Sequence, residues 1–157
     1  MITAISLRRL LLPVLLISSF TNLEAQSDTA VVRQQVEARK YTFIAQNAMP
    51  MRGRTVQLTS LYDLKITGDS VISALPYYGR AYSAPVNPSE NGLNFTSVSF
   101  DYQVKYRKKR WEVSIKPKDV QRVSEMNLII YSNGRASLQV TSNDRQPISF
   151  NGVLSSK

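Results

Sequence analysis

Residues 98–115 alternate between apolar and polar side chains with a period of two, and the alternation closes on itself in one hairpin register. Val98, Phe100, Tyr102, Val104 and Tyr106 occupy one arm, and Trp111, Val113 and Ile115 the other. A turn centred between Lys108 and Lys109 sets Tyr106 opposite Trp111, Val104 opposite Val113 and Tyr102 opposite Ile115 on one face. On the other face it sets Lys105 against Glu112 and Asp101 against Lys116, both attractive. A slip of one residue would turn every apolar side chain toward water, so the pattern commits this stretch to antiparallel pairing with one buried face. Lys-Lys is poor chemistry for a two-residue turn, which predicts a four-residue loop from Arg107 to Arg110 in the same register. Tyr106 and Trp111 then both point into the core.

The flanking segments extend this pattern. Val56, Leu58, Tyr62, Leu64 and Ile66 all fall on even positions, giving one long strand or two with a break at Thr59-Ser60. Gly68-Asp69 is a type II′ turn signal that pairs Ile66 with Val71 and Tyr62 with Leu75. Asn133-Gly134 predicts a type I′ turn, with Ile129 opposite Leu138 and Tyr131 opposite Ala136. A short loop at Asn143-Asp144-Arg145 then lets Val140 meet Ile148, Leu138 meet Phe150 and Ala136 meet Gly152. Residues 83–92 form the one clear long loop.

Upstream, Ser27-Asp28 offers a helix cap, and no Pro or Gly interrupts Thr29 to Asn47. Val32, Val36, Tyr41, Phe43 and Ile44 give an imperfect helical stripe, which predicts one amphipathic helix ending at Met49-Pro50. The expected fold is α+β: an N-terminal helix packed on a mostly antiparallel sheet of about seven strands. The apolar sheet face is covered by the helix or by the sheet curling toward a barrel.

The first residues address compartment. Arg8 and Arg9 precede an apolar run from Leu10 to Ile17 that contains Pro13, and a polar stretch ends in Leu23-Glu24-Ala25. The run is about half the ~20 residues a membrane span requires, so residues 1–25 are expected to be a signal peptide, cleaved near Ala25. Residues 26–157 are then a single α+β domain, periplasmic or secreted, with no transmembrane segment after cleavage. No Cys stands at the cleavage point to carry a lipid.

The chain contains neither His nor Cys. A Ser-His-Asp triad, a thiolate nucleophile and an ordinary zinc site are excluded, and no metal or cofactor is expected. Carboxylate-pair or Ser-Lys hydrolysis remains as an alternative. Asp63 and Asp69 are the only carboxylates close together on the N-terminal hairpin, and a glycosidase needs two at roughly 5 to 9.5 Å. The net charge of +9 falls to about +8 without the leader and favours anionic partners.

Two clusters stand out as candidate binding residues. Tyr77, Tyr78 and Tyr82 surround Pro76 and Gly79, so their rings could stack on a sugar while Arg80 meets an anionic group. The competing reading is a Pro-bent edge strand whose tyrosines cap the core. Arg107, Lys108, Lys109 and Arg110 form a basic loop suited to phosphates or acidic glycans, or simply to solubility. With Tyr106 and Trp111 turned inward, stacking on bases is denied and nucleic acid is disfavoured.

A helix, the Gly68-Asp69-Ser70 turn, the segment Leu75-Pro76-Tyr77-Tyr78-Gly79-Arg80-Ala81-Tyr82, a strand from Phe95, Asn133-Gly134-Arg135-Ala136 and a closing Ile148-Ser149-Phe150-Asn151-Gly152 follow one another along the chain. This order resembles the domain of unknown function 4251 family, from about Arg39 to Val153. The resemblance implies a small exported protein of Gram-negative bacteria, many of which carry a lipoprotein Cys that this chain lacks; it adds no catalytic residue. The expected function is a non-enzymatic envelope protein that binds an anionic or glycan-like ligand, the alternatives being a hydrolase or a purely structural envelope protein.

Overall fold

The computed structural model describes residues 23–82 and 92–155, with side chains from Thr29 onward. Residues 1–22, most of the expected signal peptide of residues 1–25, and residues 83–91, most of the loop expected at 83–92, lie outside the described residues. Helix α1 (Leu23–Ala38) is followed by nine strands: β1 (Lys40–Pro50), β2 (Val56–Thr67), β3 (Val71–Leu75), β4 (Leu93–Ser97), β5 (Phe100–Arg107), β6 (Arg110–Pro117), β7 (Val123–Tyr131), β8 (Arg135–Ser142) and β9 (Ile148–Ser155). They form one antiparallel sheet in the order β4-β3-β2-β1-β9-β8-β7-β6-β5. The sheet bends into a nearly closed barrel. Its terminal strands β4 and β5 are consecutive in the chain, and the Asp119 carboxylate accepts hydrogen bonds from Ser97 Oγ and from the Val98 and Ser99 N–H groups at their junction.

The barrel has nine strands where about seven were expected, and one of them replaces half of the predicted helix. Lys40 to Asn47 is strand, while the helix begins before its expected cap. Tyr41, Phe43 and Ala45 are buried at alternate positions, a pattern that the helical stripe mimics over so short a stretch. Pairing with β2 and β9 on both sides decides the outcome. Arg39 marks the changeover with a left-handed φ of 52°, a common way for a helix to end. From α1, Val32 and Val36 reach the core.

Most strand registers agree with the alternation, and the exceptions are local. Ile66 pairs with Val71 across Gly68-Asp69, and that ladder ends at Asp63–Ala74, just short of the expected Tyr62–Leu75 pair. β2 runs unbroken through Thr59-Ser60, but its pairing with β1 jumps from Ala45–Tyr62 to Asn47–Gln57, leaving Leu61 on the outside, 74% exposed. On the C-terminal side, Leu128 faces Leu138 and Ile130 faces Ala136. The predicted Ile129–Leu138 register is therefore off by one. Ser132-Asn133-Gly134 forms a three-residue connection with Gly134 at φ 76° and its N–H bonded to the Tyr131 carbonyl, the usual alternative to a two-residue turn. The slip buries Met126, Leu128 and Ile130 on one face and satisfies the core better than Ile129 and Tyr131 would. Val140–Ile148, Leu138–Phe150 and Ala136–Gly152 pair as expected.

In the central hairpin every predicted pair is present, from Tyr106–Trp111 to Asp101–Lys116. The loop is nevertheless tighter than expected. Arg107 and Arg110 pair directly, and Lys108 and Lys109 make a two-residue turn with φ of 51° and 60°, as a type I′ turn requires. The two arms also differ in burial. Trp111, Val113 and Ile115 are buried, whereas Val104 is 40% and Tyr106 56% exposed. Tyr106 packs against Trp111 with ring centroids 5.0 Å apart but does not enter the core, because β5 is the last strand of the sheet and no strand among the described residues covers its far side. Val98 is likewise exposed, sitting in the link between β4 and β5.

Candidate functional site

The connections β6–β7 and β8–β9 lie side by side at the mouth of the barrel. Asn143 joins them: its side-chain amide donates to the Gln121 carbonyl at 2.7 Å and its backbone N–H to the Arg122 carbonyl at 3.0 Å. Together with the start of β4 they enclose a cleft of about 570 Å³. Leu93, Phe95, Val120 and Val123 supply its apolar surface, and Asn94, Gln121, Arg122, Asn143 and Asp144 its polar groups. Arg122 Nε lies 3.5 Å from Asp144 Oδ2 on its wall.

Asp144 is held from two directions. Arg145 donates to it through Nε at 3.0 Å and Nη2 at 2.9 Å, although the Arg145 side chain is only 2% exposed. These hydrogen bonds, with the Arg145 and Arg122 charges, hold the Asp144 carboxyl below its usual range against the opposing effect of burial. A buried guanidinium is tolerated only when it is paired and stacked. The stacking comes from Tyr77, whose ring lies 4.8 Å from the Arg145 guanidinium carbon.

This contact defines the tyrosine segment. β3 ends at Leu75, and the chain then crosses to the β8–β9 connection. The Tyr77 hydroxyl reaches the Arg80 carbonyl at 2.9 Å and the Gln146 carbonyl at 3.0 Å. Gln146 N–H donates to the Arg80 carbonyl, Tyr82 N–H donates to the Asp144 carbonyl at 2.8 Å, and Ala81 bridges Arg145. A Cβ on Gly79 would come 2.7 Å from Tyr77 Cζ, so only glycine lets that ring fold back. Burial pushes the Tyr77 phenol above its ordinary pKa, and burial followed by the neighbouring Tyr62 does the same to Tyr78.

The four predicted ligand residues therefore divide. Tyr77 is committed to Arg145, while Tyr78, Arg80 and Tyr82 are exposed, Tyr82 by 67%. Tyr82 stands beside the Asp144 wall of the cleft through its backbone bond. The segment is not the Pro-bent edge strand that the residues suggested, because β3 is flanked by β2 and β4 and the segment follows it. Asn94, Gln121, Arg122, Asn143 and Asp144 were missed by sequence reasoning. They come from the start of β4 and from two separate connections, and no local spacing links them.

The basic cluster lies at the other end of β6. Arg107, Lys108 and Lys109 are exposed at the β5–β6 tip, whereas Arg110 is half-buried and bonds Glu112 through Nε at 3.0 Å and Nη2 at 2.8 Å. The Arg110 hydrogen bond holds the Glu112 carboxyl below its usual range. Asp63 lies in β2 opposite Ile44 of β1, and Asp69 lies in the turn beyond β2. The four extended steps from Asp63 to Thr67 alone put that turn roughly 13 Å away, beyond the spacing of paired carboxylate chemistry. Among the described residues no group of three or more His, Cys, Asp or Glu side chains could hold a metal, and no helix is long and apolar enough to cross a membrane.

A family model described as "Domain of unknown function (DUF4251)" matches residues 23–154. Among solved structures, the chain is similar to the crystal structure of a DUF4251 family protein from Bacteroides eggerthii DSM 20697. The TM-score is 0.55 at 14% sequence identity, over 82% of this chain and 87% of that one. No curated protein matches the chain.

Proposed function

The chain belongs to the DUF4251 family, and from that premise we propose that it is an exported, non-enzymatic envelope protein whose barrel-mouth cleft binds a glycan-like ligand. The observation that carries the proposal is the lining of the cleft. Amide side chains both donate and accept hydrogen bonds, as sugar hydroxyls do, and Asn94, Gln121 and Asn143 supply three of them around Phe95. Tyr82, whose backbone N–H bonds the Asp144 carbonyl and whose ring is exposed, is of the kind that packs on a sugar face. Export is supported by the leader pattern of residues 1–25.

A hydrolytic role has less support. Among the described residues, Glu112, Asp119 and Asp144 hold their carboxyl protons less tightly than usual, Asp119 chiefly because of its Ser97 hydrogen bond. A general acid needs the opposite shift. The basic β5–β6 tip supports a second reading, contact with an anionic surface, because Arg107, Lys108 and Lys109 project together into solvent.

Amide-resolved NMR titration separates the readings. Neutral oligosaccharides should produce saturable shifts at Asn94, Gln121, Arg122 and Asn143 that persist as salt rises. Asn94→Ala and Gln121→Ala, both at exposed side chains, should weaken binding about tenfold without altering the fold. Shifts confined to Lys105–Arg110, induced by anionic vesicles and lost at salt that screens beyond about 8 Å, would replace the glycan reading with the anionic one. Silence toward every glycan would leave a structural role.

A further inference from the structure

Strand β5 ends the sheet, and among the described residues no strand pairs with its outer side. Natural edge strands are blunted by shortness, Pro, bulges or charge. β5 is eight residues long, contains no Pro and pairs with β6 without a register shift, which leaves the charges of Asp101, Lys105 and Arg107 as its safeguard against indiscriminate pairing. The two-residue turn makes Arg107–Arg110 a hydrogen-bonded pair, so the odd-numbered residues of β5 bond to β6. The N–H and C=O groups of Tyr102, Val104 and Tyr106 then point to the open edge. The side chains of Val104 and Tyr106 occupy core-facing register yet stay 40% and 56% exposed.

We propose that this edge is an interface between two copies of the chain, pairing antiparallel about a two-fold axis through Val104. The occupant is argued from self-complementarity. In that register Asp101 of each copy stands opposite Arg107 of the other, Tyr102 opposite Tyr106, and Val104 opposite itself. The mid-strand charge, Lys105, meets Gln103, so no like charges face each other. Every residue from Asp101 to Arg107 finds a compatible partner, which cross-strand pairing rewards and chance composition seldom supplies. The cationic Lys108-Lys109 tip of each copy extends past Phe100 toward the end of the other where Asp119 lies. An isologous contact of this kind closes after two copies and does not propagate.

Sedimentation equilibrium of the mature chain, from about 1 μM to about 1 mM, tests the interface. The wild type should dimerise within that range. Val104→Pro removes an outward N–H, which an edge strand tolerates, and should raise the dimer dissociation constant at least tenfold with an unchanged near-ultraviolet circular dichroism spectrum. Arg107→Asp should weaken the dimer comparably. Asp101, which also takes Lys118 Nζ at 2.6 Å within its own chain, is changed to Asn rather than reversed: Asp101→Asn should weaken the dimer, and combining it with Arg107→Ala should cost less than the sum of the two single losses, as expected of one shared pair. This cycle decides the matter if Val104→Pro fails to fold. A wild type that stays monomeric throughout, a dimer indifferent to the single variants, or fully additive losses at Asp101 and Arg107 would each overturn the proposal.

Discussion

The phenolic oxygens of Tyr41 and Tyr102 lie 2.8 Å apart across the barrel interior, joining the start of β1 to the last strand of the sheet. β1 and β5 are separated by four strands in the sheet order, so the contact exists only because the sheet has curled nearly shut. Arg39, at the end of α1, lies over the Tyr102 ring at 4.7 Å. Helix end, central strand and edge strand thus meet at one point.

Burial, then the neighbouring Tyr102, raises the Tyr41 pKa well above 10.0, and burial raises that of Tyr102. The folded state therefore keeps these protons to higher pH than the unfolded chain. Their contribution is fully present below about pH 10 and is lost as pH rises toward the folded-state values. Tyr41→Phe should lower stability by about 1 kcal/mol at neutral pH and make the alkaline decline shallower. Urea unfolding between about pH 8 and pH 11 measures both effects.

Lys108 and Lys109 each adopt a left-handed conformation that costs an L-residue roughly 1–2 kcal/mol. Asn followed by Gly is the pair best suited to such a turn, so the double substitution Lys108→Asn and Lys109→Gly should raise stability by about 1–2 kcal/mol while leaving the β5–β6 register intact. An unchanged or lower denaturation midpoint would contradict the two-residue turn.

A Cβ on Gly152 would overlap the carbonyl oxygen of Ile44 in the adjoining strand. The backbone is held there by the Ile44–Val153 and Ala45–Gly152 pairs, next to the register shift between Ala45 and Asn47. Gly152→Ala should cost about 3 kcal/mol or more. At Gly134 nothing obstructs a Cβ and only the φ of 76° opposes it, so Gly134→Ala should cost about 1 kcal/mol. Thermal or chemical unfolding of the two variants ranks them.

Arg145→Met removes the buried guanidinium between Tyr77 and Asp144 and should cost about 3 kcal/mol. It should also loosen the 77–82 segment, seen as faster amide exchange at Tyr82 and Gln146. The lowered Asp144 pKa has the opposite sign to that of Tyr41. Its contribution is present above the unfolded carboxyl value of about 4 and is lost as pH falls through the folded-state value. Asp144→Asn should reduce stability at neutral pH and flatten the decline below about pH 4.

Trp111→Ala should cost about 3–5 kcal/mol, because that ring is 4% exposed. Tyr106→Ala, at its cross-strand partner, should cost about 1 kcal/mol or less. Comparable losses at both positions would place Tyr106 in the core after all.

Much of the sheet was legible in the residues themselves. Tyr106–Trp111, Ile66–Val71 and Val140–Ile148 pair as the alternation requires, because a hairpin register depends on neighbours in sequence and on which side chains must leave water. At Asn133-Gly134 the same local logic admitted two solutions one residue apart, and burial of Leu128 and Ile130 chose between them.

What the chain determined alone was antiparallel pairing, a two-faced sheet and the absence of thiol and imidazole chemistry, since these follow from composition and period. Tertiary structure decided the rest. Residues 40–47 became strand because β2 and β9 were there to receive them, and Val104 and Tyr106 stayed exposed because β5 stands last in the sheet order. Arg145, polar in sequence, is buried because Tyr77 arrives from the segment after β3 to stack on the guanidinium that its own neighbour Asp144 binds. The cleft joins residues 92–95, 120–123 and 143–144, whose proximity depends on barrel closure, a non-local event that no short window of sequence encodes.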